Sequence, residues 1–332
     1  MLIVLNVILL FFFEVLALTK KRIIAIAGPT ASGKSALALE IAKLCDGEII
    51  SCDSMQIYKR MNIGTAKPTL DELSAVRHHM IDVVEPTASF SCEDYVRLAS
   101  AAIDDVISRG KLPVVCGGTG LYLDALLRGG VSAPSIDTSD IRAELSARAA
   151  REGIEGIYAE LVRVDPESAA AIHPNNEKRV IRALEIYLAT GRTKSELDKE
   201  SKSLESPYDS TVAYLTFENR DILYNRIDLR VDMMLSDGLI DEARYLMSEG
   251  VFEVNRTAAQ AIGYKELFGY LEGREPLDCA LENLKRSTRR YAKRQITWFS
   301  AKDYAIPLVM DDGKEIKSFE NIVNNAKKLF SL

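Results

Sequence analysis

The stretch that most constrains the fold of this chain is GPTASGKS at residues 28–35. It follows an apolar run at 23–27 and precedes a helical pattern at 36–44. A strand, a glycine loop and a helix in this order form a phosphate-binding loop. Such a loop directs backbone N–H groups and a helix N-terminus toward phosphate oxygens. The sequence therefore predicts a site for a di- or triphosphate.

Two side chains of this loop have specific expected roles. Lys34 would reach the outer phosphates, and the Ser35 hydroxyl would bind a Mg²⁺ ion. The residues expected to contact the phosphate groups are Gly28, Thr30, Ala31, Ser32, Gly33, Lys34 and Ser35.

Short apolar strands alternate with helices in the first part of the chain, and the clearest helix is predicted at 91–109. This alternation is typical of an α/β fold with a doubly wound parallel sheet. Ligands of such sheets bind outside the carboxyl ends of the strands. The predicted strands are 23–27, 48–51, 79–84, 112–116, 211–217 and 304–309.

Strand signals vanish between residues 135 and 210, where the sequence is charged and helical in pattern. The helices predicted there are 138–152, 154–162, 166–172 and 176–190. We therefore expect an all-helical insertion in the α/β core. The expected segments are a hydrophobic N-terminal extension (1–19), the first part of the core (20–134), the insertion (135–210) and the core completion (211–332), which includes a basic helix at 276–298.

The bulk composition narrows the functional classes. The net charge of −6 argues against a generally basic nucleic-acid binder, so any such role needs a local patch. The five scattered cysteines form no C-x-x-C pair, which fits a reducing cytoplasm and opposes a disulfide scaffold or a zinc site. The apolar run at 1–18 contains Glu14 and ends close to the first strand. We expect it to take no part in the fold; a membrane anchor is the alternative.

Two strand ends carry candidate chemical groups. Asp53 directly follows the strand at 48–51 and could bind Mg²⁺, take a proton or accept a hydrogen bond from an amine. Its alternative role is that of an ordinary turn residue. The strand at 112–116 runs into Gly117-Gly118-Thr119, where nucleotide hydrolases often have a Mg²⁺-binding aspartate. The glycines there would allow close approach of a ligand or serve a tight turn.

A basic segment stands out near the C-terminal end. On a helix its cations form two adjacent i, i+4 rows that repel one another, which a phosphate backbone would relieve. A solvated helix with acidic neighbours is the alternative. The cations of this stripe are Lys285, Arg286, Arg289, Arg290, Lys293 and Arg294, and a smaller cluster comprises Lys178, Arg179 and Arg182.

His78 and His79 have no third ligand at metal spacing, so we expect a structural or turn role for them.

Together these motifs resemble one family, the tRNA dimethylallyltransferases, also called tRNA isopentenyltransferases. The resemblance covers about residues 20–300 in the expected order, whereas the hydrophobic N-terminus is foreign to the family. The matching motifs are GPTASGKS (28–35), SCDSMQIY (51–58), NIGTAKPT (62–69), HHMIDVVEP (78–86), GGTGLY (117–122), NEKRVIRALEIY (176–187), QAIGYKE (260–266) and TRRYAKRQITWF (288–299).

The resemblance implies a phosphate-loop core with a helical insertion and a prenyl-transfer reaction. The dimethylallyl group would pass from dimethylallyl diphosphate to N6 of adenosine 37 of tRNA, with Mg²⁺ and without consuming a nucleotide triphosphate. Asp53 would take the N6 proton from an adenine flipped out of its stack. Lys34, Ser35, Thr119 and Arg226 would stabilise the leaving diphosphate.

The resemblance also implies the tRNA contacts. The basic stripe at 285–294 would hold the anticodon stem, and no protein partner is implied, so we expect a monomer. The further residues expected to contact tRNA are Asp53, Ser54, Met55, Gln56, Thr119, Arg142, Lys178, Arg179 and Arg182.

Three alternatives remain on the residues alone. A small-molecule kinase would use ATP through the same loop but has no use for the basic stripe. A regulatory nucleotide switch should carry an N-K-x-D guanine-reading motif, which the sequence lacks. A prenyltransferase acting on free adenylate would share the core, and the helical insertion and the stripe argue for a polynucleotide instead.

Overall fold

A computed structural model describes residues 20–129 and 138–332 of the chain. The hydrophobic extension expected at 1–19 lies outside this range. The chain divides into a core unit, made of the residues up to Leu127 together with Pro207–Leu332, and a helical unit, Arg128–Ser206. Among the described residues, no helix is long and apolar enough to cross a membrane.

The core unit is built on a parallel sheet in which six strands are described, in the order β3-β2-β4-β1-β5-β6. The doubly wound parallel α/β fold is thereby confirmed. Strand β5 begins three residues before the predicted strand, so the last residues of the expected insertion belong to the sheet. The strands are β1 (Lys21–Ala27), β2 (Gly47–Ser51), β3 (His78–His79), β4 (Leu112–Gly117), β5 (Tyr208–Thr216) and β6 (Ala305–Val309).

Helices cover both faces of this sheet. The helices of the first half of the core unit are α1 (Lys34–Leu44), α2 (Leu70–Ala75), α3 (Cys92–Ser108) and α4 (Gly120–Leu127). Those of the helical unit are α5 (Ser139–Glu152), α6 (Ile154–Val164), α7 (Pro166–Ala171), α8 (Glu177–Thr190) and α9 (Lys194–Ser203). Those of the second half of the core unit are α10 (Arg220–Ser236), α11 (Leu239–Ser248), α12 (Val251–Val254), α13 (Phe268–Leu271), α14 (Leu277–Ser300) and α15 (Phe319–Phe330).

Alternation along β1 explains why the sheet is covered on both sides. Ile24 and Ile26 belong to one buried cluster with residues of α1 and α15. Ile23 and Ala25 belong to another with residues of α3 and α4. Successive side chains of a strand point to opposite faces, so a continuously apolar strand requires cover on both.

The helical unit has an apolar core of its own, contributed by α5 to α8. Leu145, Ile157, Leu161, Val180 and Leu184 are all buried in one cluster. The Asn176 side chain caps the start of α8, and its C-cap residue, Gly191, is left-handed. Helix α9 was absent from the expectations because its sequence is almost wholly polar, and it begins with a capping box between Thr193 and Glu196.

The predicted strand at 79–84 is wrong in extent, since β3 contains only His78 and His79. Met80 and Asp82 both have positive φ angles, which take the backbone out of the extended region. Val84 instead makes an isolated bridge with Tyr58. The segment therefore leaves the sheet and packs beside the loop that follows β2.

Candidate active site

A cleft of about 430 Å³ opens beside the phosphate loop in the core unit. It combines cationic side chains with an apolar rim, and both come from elements far apart in the sequence. Its lining consists of Ala31, Gly33, Lys34, Ser35, Ala36, Ala66, Lys67, Pro68, Glu72, Arg226, Leu229, Arg230 and Met233. This composition suits a ligand with a polyanionic end and an apolar end.

The phosphate loop is held tightly between β1 and α1. A Cβ atom at Gly28 would lie 3.0 Å from the backbone nitrogen of Leu215 in β5, so glycine lets the loop approach that strand. Ala31 is in the left-handed region, with φ of 60°. Its carbonyl oxygen accepts a hydrogen bond of 2.8 Å from Arg226 Nε, which fixes this unusual conformation. Arg226 therefore supports the loop as well as lining the cleft.

The loop also retains hydrogen-bonding groups for a ligand. Helix α1 starts directly after Gly33, and no side chain caps its first turn, so N–H groups at its N-terminus face outward. The buried Ser32 Oγ has no hydrogen-bond partner in the described part of the chain. By contrast, the Thr30 N–H already donates to Gln295 Oε1 at 2.9 Å. The backbone N–H of Thr30 is thus committed to the protein.

Lys34 is the central cation of the loop. Its Nζ donates to the carbonyl oxygen of Pro29 at 3.3 Å. Burial lowers the pKa of Lys34 and the charge of Arg230 adds to this effect, although the fields of Cys116 and Asp53 oppose it. A bound polyanion would favour the charged ammonium, so ligand binding and protonation of Lys34 support each other.

Arg230 is a site residue that sequence reasoning missed. It lines the cleft one helical turn after Arg226, and its guanidinium forms no ion pair or hydrogen bond within the described residues. Burial lowers the pKa of Arg230, and the nearby charge of Asp53 opposes this. The i, i+4 spacing puts Arg226 and Arg230 on the same face of the helix, but only the fold shows that this face lines the cleft.

Asp53 acts partly as a turn residue and partly as a free acceptor. Its Oδ1 accepts hydrogen bonds from the N–H groups of Met55 at 2.8 Å and Gln56 at 3.3 Å. Within the described residues, Oδ2 has no hydrogen-bond partner. Asp53 lies within the electrostatic reach of Lys34 and Arg230. One oxygen therefore fixes the orientation of the carboxylate, and the other retains its capacity to accept a hydrogen bond.

The neighbouring strand end supports the Asp53 loop. Thr119 Oγ1 accepts the N–H of Ser54 at 3.1 Å, and the Thr119 N–H donates to the carbonyl oxygen of Cys52 at 3.2 Å. Gln56 Nε2 donates to the carbonyl oxygens of Thr65 and Ala66, at 3.2 and 3.1 Å. The Gln56 side chain is therefore used in loop packing, and Thr119 orients the segment that carries Asp53.

The basic stripe on α14 divides into paired and unpaired cations. Lys285 Nζ lies 2.7 Å from Asp232, and Arg289 NH1 lies 2.7 Å from both carboxylate oxygens of Asp228. Arg286 donates to Asn283, and the Arg294 guanidinium lies 5.5 Å from the centre of the Tyr291 ring. Within the described residues, the exposed cations Arg290 and Lys293 have no ion-pair partner. The acidic neighbours considered as an alternative are thus present, but only for two of the six cations of the stripe, Lys285 and Arg289.

In the helical unit, one buried carboxylate binds two of the arginines that are expected to contact tRNA. Glu185 accepts from Arg142 NH2 at 2.7 Å and also contacts Arg182. Burial raises the pKa of Glu185, but hydrogen bonds from Arg142 and Thr138 outweigh this and lower it overall. Lys178 and Arg179 are exposed, and among the described residues neither has an ion-pair partner.

The histidines have structural surroundings. His79 Nε2 lies 2.7 Å from the buried Glu48 carboxylate, and His78 Nδ1 lies 2.8 Å from the Val76 carbonyl oxygen. The described residues contain no group of three or more His, Cys, Asp or Glu residues that could hold a metal ion. Ser35, the residue expected to bind Mg²⁺, lines the cleft and is exposed there.

Comparison with known proteins agrees with this geometry. The family model described as IPP transferase matches residues 56–302. The chain is 44% identical over 307 residues to a tRNA dimethylallyltransferase of Halalkalibacterium halodurans, covering 92% of this chain and 97% of the relative. It is 49% identical over 281 residues to that of Bacillus licheniformis, covering 85% and 88%.

A solved structure is also similar. It is a eukaryotic dimethylallyltransferase acting on tRNA, with a TM-score of 0.77, 31% identity and coverage of 94% of this chain and 80% of that one. The phosphate loop, the cleft and these matches lead to one assignment. The chain belongs to the IPP transferase family, the family of the tRNA dimethylallyltransferases.

Proposed function

We propose that this enzyme transfers a dimethylallyl group from dimethylallyl diphosphate to N6 of adenosine 37 in tRNA, beside the anticodon. The observation that carries the proposal is the cleft itself. It sets Lys34, Arg226 and Arg230 together with an apolar rim, and the Asp53 carboxylate lies within electrostatic reach of Lys34 and Arg230. A prenyl diphosphate has the same division between a polyanionic and an apolar end.

The donor diphosphate would lie in the phosphate loop. Its charge would be met by Lys34, Arg226, Arg230 and the N-terminus of α1. The buried Ser32 hydroxyl, which lacks a partner among the described residues, supports a ligand here because buried polar groups are usually hydrogen-bonded. Leu229, Met233 and Pro68 provide apolar surface on the same cleft.

A Mg²⁺ ion fits this site as a companion of the diphosphate. The protein offers a hydroxyl, Ser35, and a magnesium ion in such sites takes most of its other oxygens from phosphates and water. When bound, the ion would offset negative charge on the leaving diphosphate. Ser35 is the residue that would hold it.

On the acceptor side, the free Oδ2 of Asp53 would receive the N6 proton. As N6 attacks C1 of the allyl group, the C1–oxygen bond breaks and the diphosphate leaves with the electron pair. The new bond joins N6 to C1, and the displaced proton passes to Asp53. Lys34 and the two arginines stabilise the charge that develops on the leaving oxygen.

The adenine must leave its stack to present N6 to this carboxylate. Candidate contacts to the anticodon stem are the unpaired Arg290 and Lys293 on α14, together with Arg286 and Arg294. Lys178, Arg179, Arg182 and Arg142 are the candidate contacts of the helical unit. The Asp53 loop, with Ser54 and Met55, would contact the flipped nucleotide. We further propose that the enzyme works as a cytoplasmic monomer.

The test is an acceptor assay with a matched pair of variants. Purified protein is incubated with Mg²⁺, dimethylallyl diphosphate and unmodified tRNA with adenines at positions 36 and 37, and the anticodon-loop mass is measured. Asp53→Asn should lower kcat by about 10³-fold, since it removes a general base. Asp46→Asn, an exposed aspartate at the other end of β2, should leave the rate unchanged.

Three results would overturn the proposal. Unchanged tRNA with the wild-type enzyme would exclude this acceptor, and preference for free AMP over tRNA would favour an adenylate prenyltransferase. Phosphoryl transfer from ATP would instead identify a kinase. Near wild-type turnover by Asp53→Asn would remove Asp53 as the proton acceptor while leaving the reaction itself established.

A further inference from the structure

One buried side-chain amide joins the two halves of the site. Gln295 lies on α14 directly after Arg294, the last cation of the basic stripe, and only 5% of its surface is exposed. Its neighbours in the core unit are the phosphate loop and the glycine turn after β4. It belongs to neither the phosphate-binding nor the proton-accepting residues described above.

The two hydrogen bonds of Gln295 fix the orientation of its amide. Oε1 accepts the N–H of Thr30 in the phosphate loop at 2.9 Å. Nε2 donates to the carbonyl oxygen of Gly118 at 2.9 Å. Because a backbone N–H only donates and a carbonyl only accepts, the amide cannot be reversed without losing both bonds. Gln295 therefore ties the two backbones together with defined polarity.

The connection continues to the carboxylate. Gly118 precedes Thr119, whose Oγ1 accepts the N–H of Ser54, the residue after Asp53. The N–H of Thr119 donates to Cys52, the residue before Asp53. The series Thr30, Gln295, Gly118, Thr119, Ser54 thus links the diphosphate loop to the Asp53 loop through hydrogen bonds and one peptide unit.

There is little room for this connection to adjust. A Cβ atom at Gly118 would lie 2.0 Å from Gln295 Nε2. A Cβ atom at Gly117 would lie 2.0 Å from the Cys52 carbonyl oxygen. Because packing is close on both sides, a displacement of the Gln295 amide should move the adjoining backbone rather than be absorbed.

We propose that Gln295 is a positioning residue that sets the separation between the leaving diphosphate and the Asp53 carboxylate. This inference rests on the proposed function and deepens it. Displacements of about 1 Å in a reacting geometry can cost about 100-fold in rate. Loss of the amide should therefore slow the chemical step more than it weakens binding of either substrate.

The experiment compares Gln295→Met, which keeps the length and removes both hydrogen bonds, with Asn283→Leu, which removes an amide elsewhere on α14. Steady-state kinetics with dimethylallyl diphosphate and tRNA are combined with calorimetric binding of pyrophosphate and thermal unfolding. We expect Gln295→Met to lower kcat by about 30- to 100-fold. Both KM values and the pyrophosphate affinity should stay within about threefold. Asn283→Leu should match the wild type in kcat.

Gly118→Ala provides a second variant that disturbs the same connection, because its methyl group must displace the Gln295 amide. Gly118→Ala should show the same fall in kcat with little change in KM. If Gln295→Met does not fold, the kinetics of Gly118→Ala test the positioning role instead. An unchanged kcat in a folded Gln295→Met enzyme, or a loss confined to KM or pyrophosphate affinity, would overturn the inference. Failure of the wild-type enzyme to modify tRNA would instead overturn the proposed function.

Discussion

Helix α10 presents opposite charges on two of its faces. Arg226 and Arg230 line the cleft, whereas Asp228 and Asp232 pair with Arg289 and Lys285 of α14. A step of two residues turns about 200° around a helix, so the two charge pairs point in nearly opposite directions. One face keeps its cations available for a ligand, and the other neutralises cations of the neighbouring helix. Whether a charged residue of α10 is available to a ligand therefore depends on the helix face on which it lies, and not on its position along the helix.

The largest effect should come from removing the charge of Lys34, the cation that the phosphate loop contributes to the cleft. Lys34→Met removes the ammonium while keeping a similar apolar stem. We expect kcat/KM for dimethylallyl diphosphate to fall by about 10³-fold, because the charge on the leaving group loses a preorganised partner. Steady-state kinetics with excess tRNA measure this. A change below about tenfold would contradict the role of Lys34.

The next largest effect concerns the cleft face of α10. Arg230→Gln removes a charge that no carboxylate pairs in the described part of the chain, so stability should change little. We expect kcat/KM for the donor to fall by about 100-fold and pyrophosphate binding to weaken. Calorimetry and kinetics check both. An unfolded or fully active variant would contradict the assignment of Arg230 to the ligand.

A smaller effect is expected from the unpaired cations of α14. Replacing Arg290 and Lys293 by glutamine should weaken tRNA binding by about tenfold at physiological salt. The slope of log K against log salt should fall by about 1.4 to 1.8, as expected for two lost phosphate contacts. Titrations of the enzyme with tRNA at several salt concentrations measure both the affinity and this slope. An unchanged slope would assign the tRNA contact to another surface.

The smallest effect should come from the anionic face of α10. Asp228→Asn with Asp232→Asn releases Arg289 and Lys285 from their partners. Both ion pairs are partly exposed to solvent and should contribute about 1 kcal/mol or less each, so the melting temperature should change little. Affinity for tRNA should rise about threefold at low salt, because two cations become available. A loss of affinity would show that these pairs orient the stripe rather than mask it.

The local parts of this architecture were predictable from the sequence. The phosphate loop is specified by consecutive residues, and the capping box of Ser91 and Asp94 fixes the start of α3. The apolar runs of β1, β2 and β4 gave their positions to within two residues at either end. The position of Asp53 after β2 marked it as a candidate but left a turn role open, and the family resemblance supplied its proposed role together with Arg226.

What the sequence could not supply depends on contacts between distant segments. Arg230 belongs to no motif, and only the folded cleft shows that it faces Lys34. The acidic partners of Lys285 and Arg289 lie more than 50 residues earlier, on α10. The role of Gln295 depends on loops that are 177 and 265 residues away. The positive φ angles that shorten β3 likewise occur at residues other than glycine.

The order of the strands has a consequence for how the molecule forms. The central strand β1 pairs with β5, so Ile24 lies opposite Thr211 in the sheet. In the sequence the whole helical unit lies between these two residues. During synthesis the ribosome must therefore deliver about two thirds of the polypeptide before the sheet can close around its middle. The helical unit, Arg128–Ser206, is a compact unit with a buried cluster of its own, so it can gain structure earlier. Until β5 emerges, β1 has an unpaired edge, and such an edge is open to pairing with other chains.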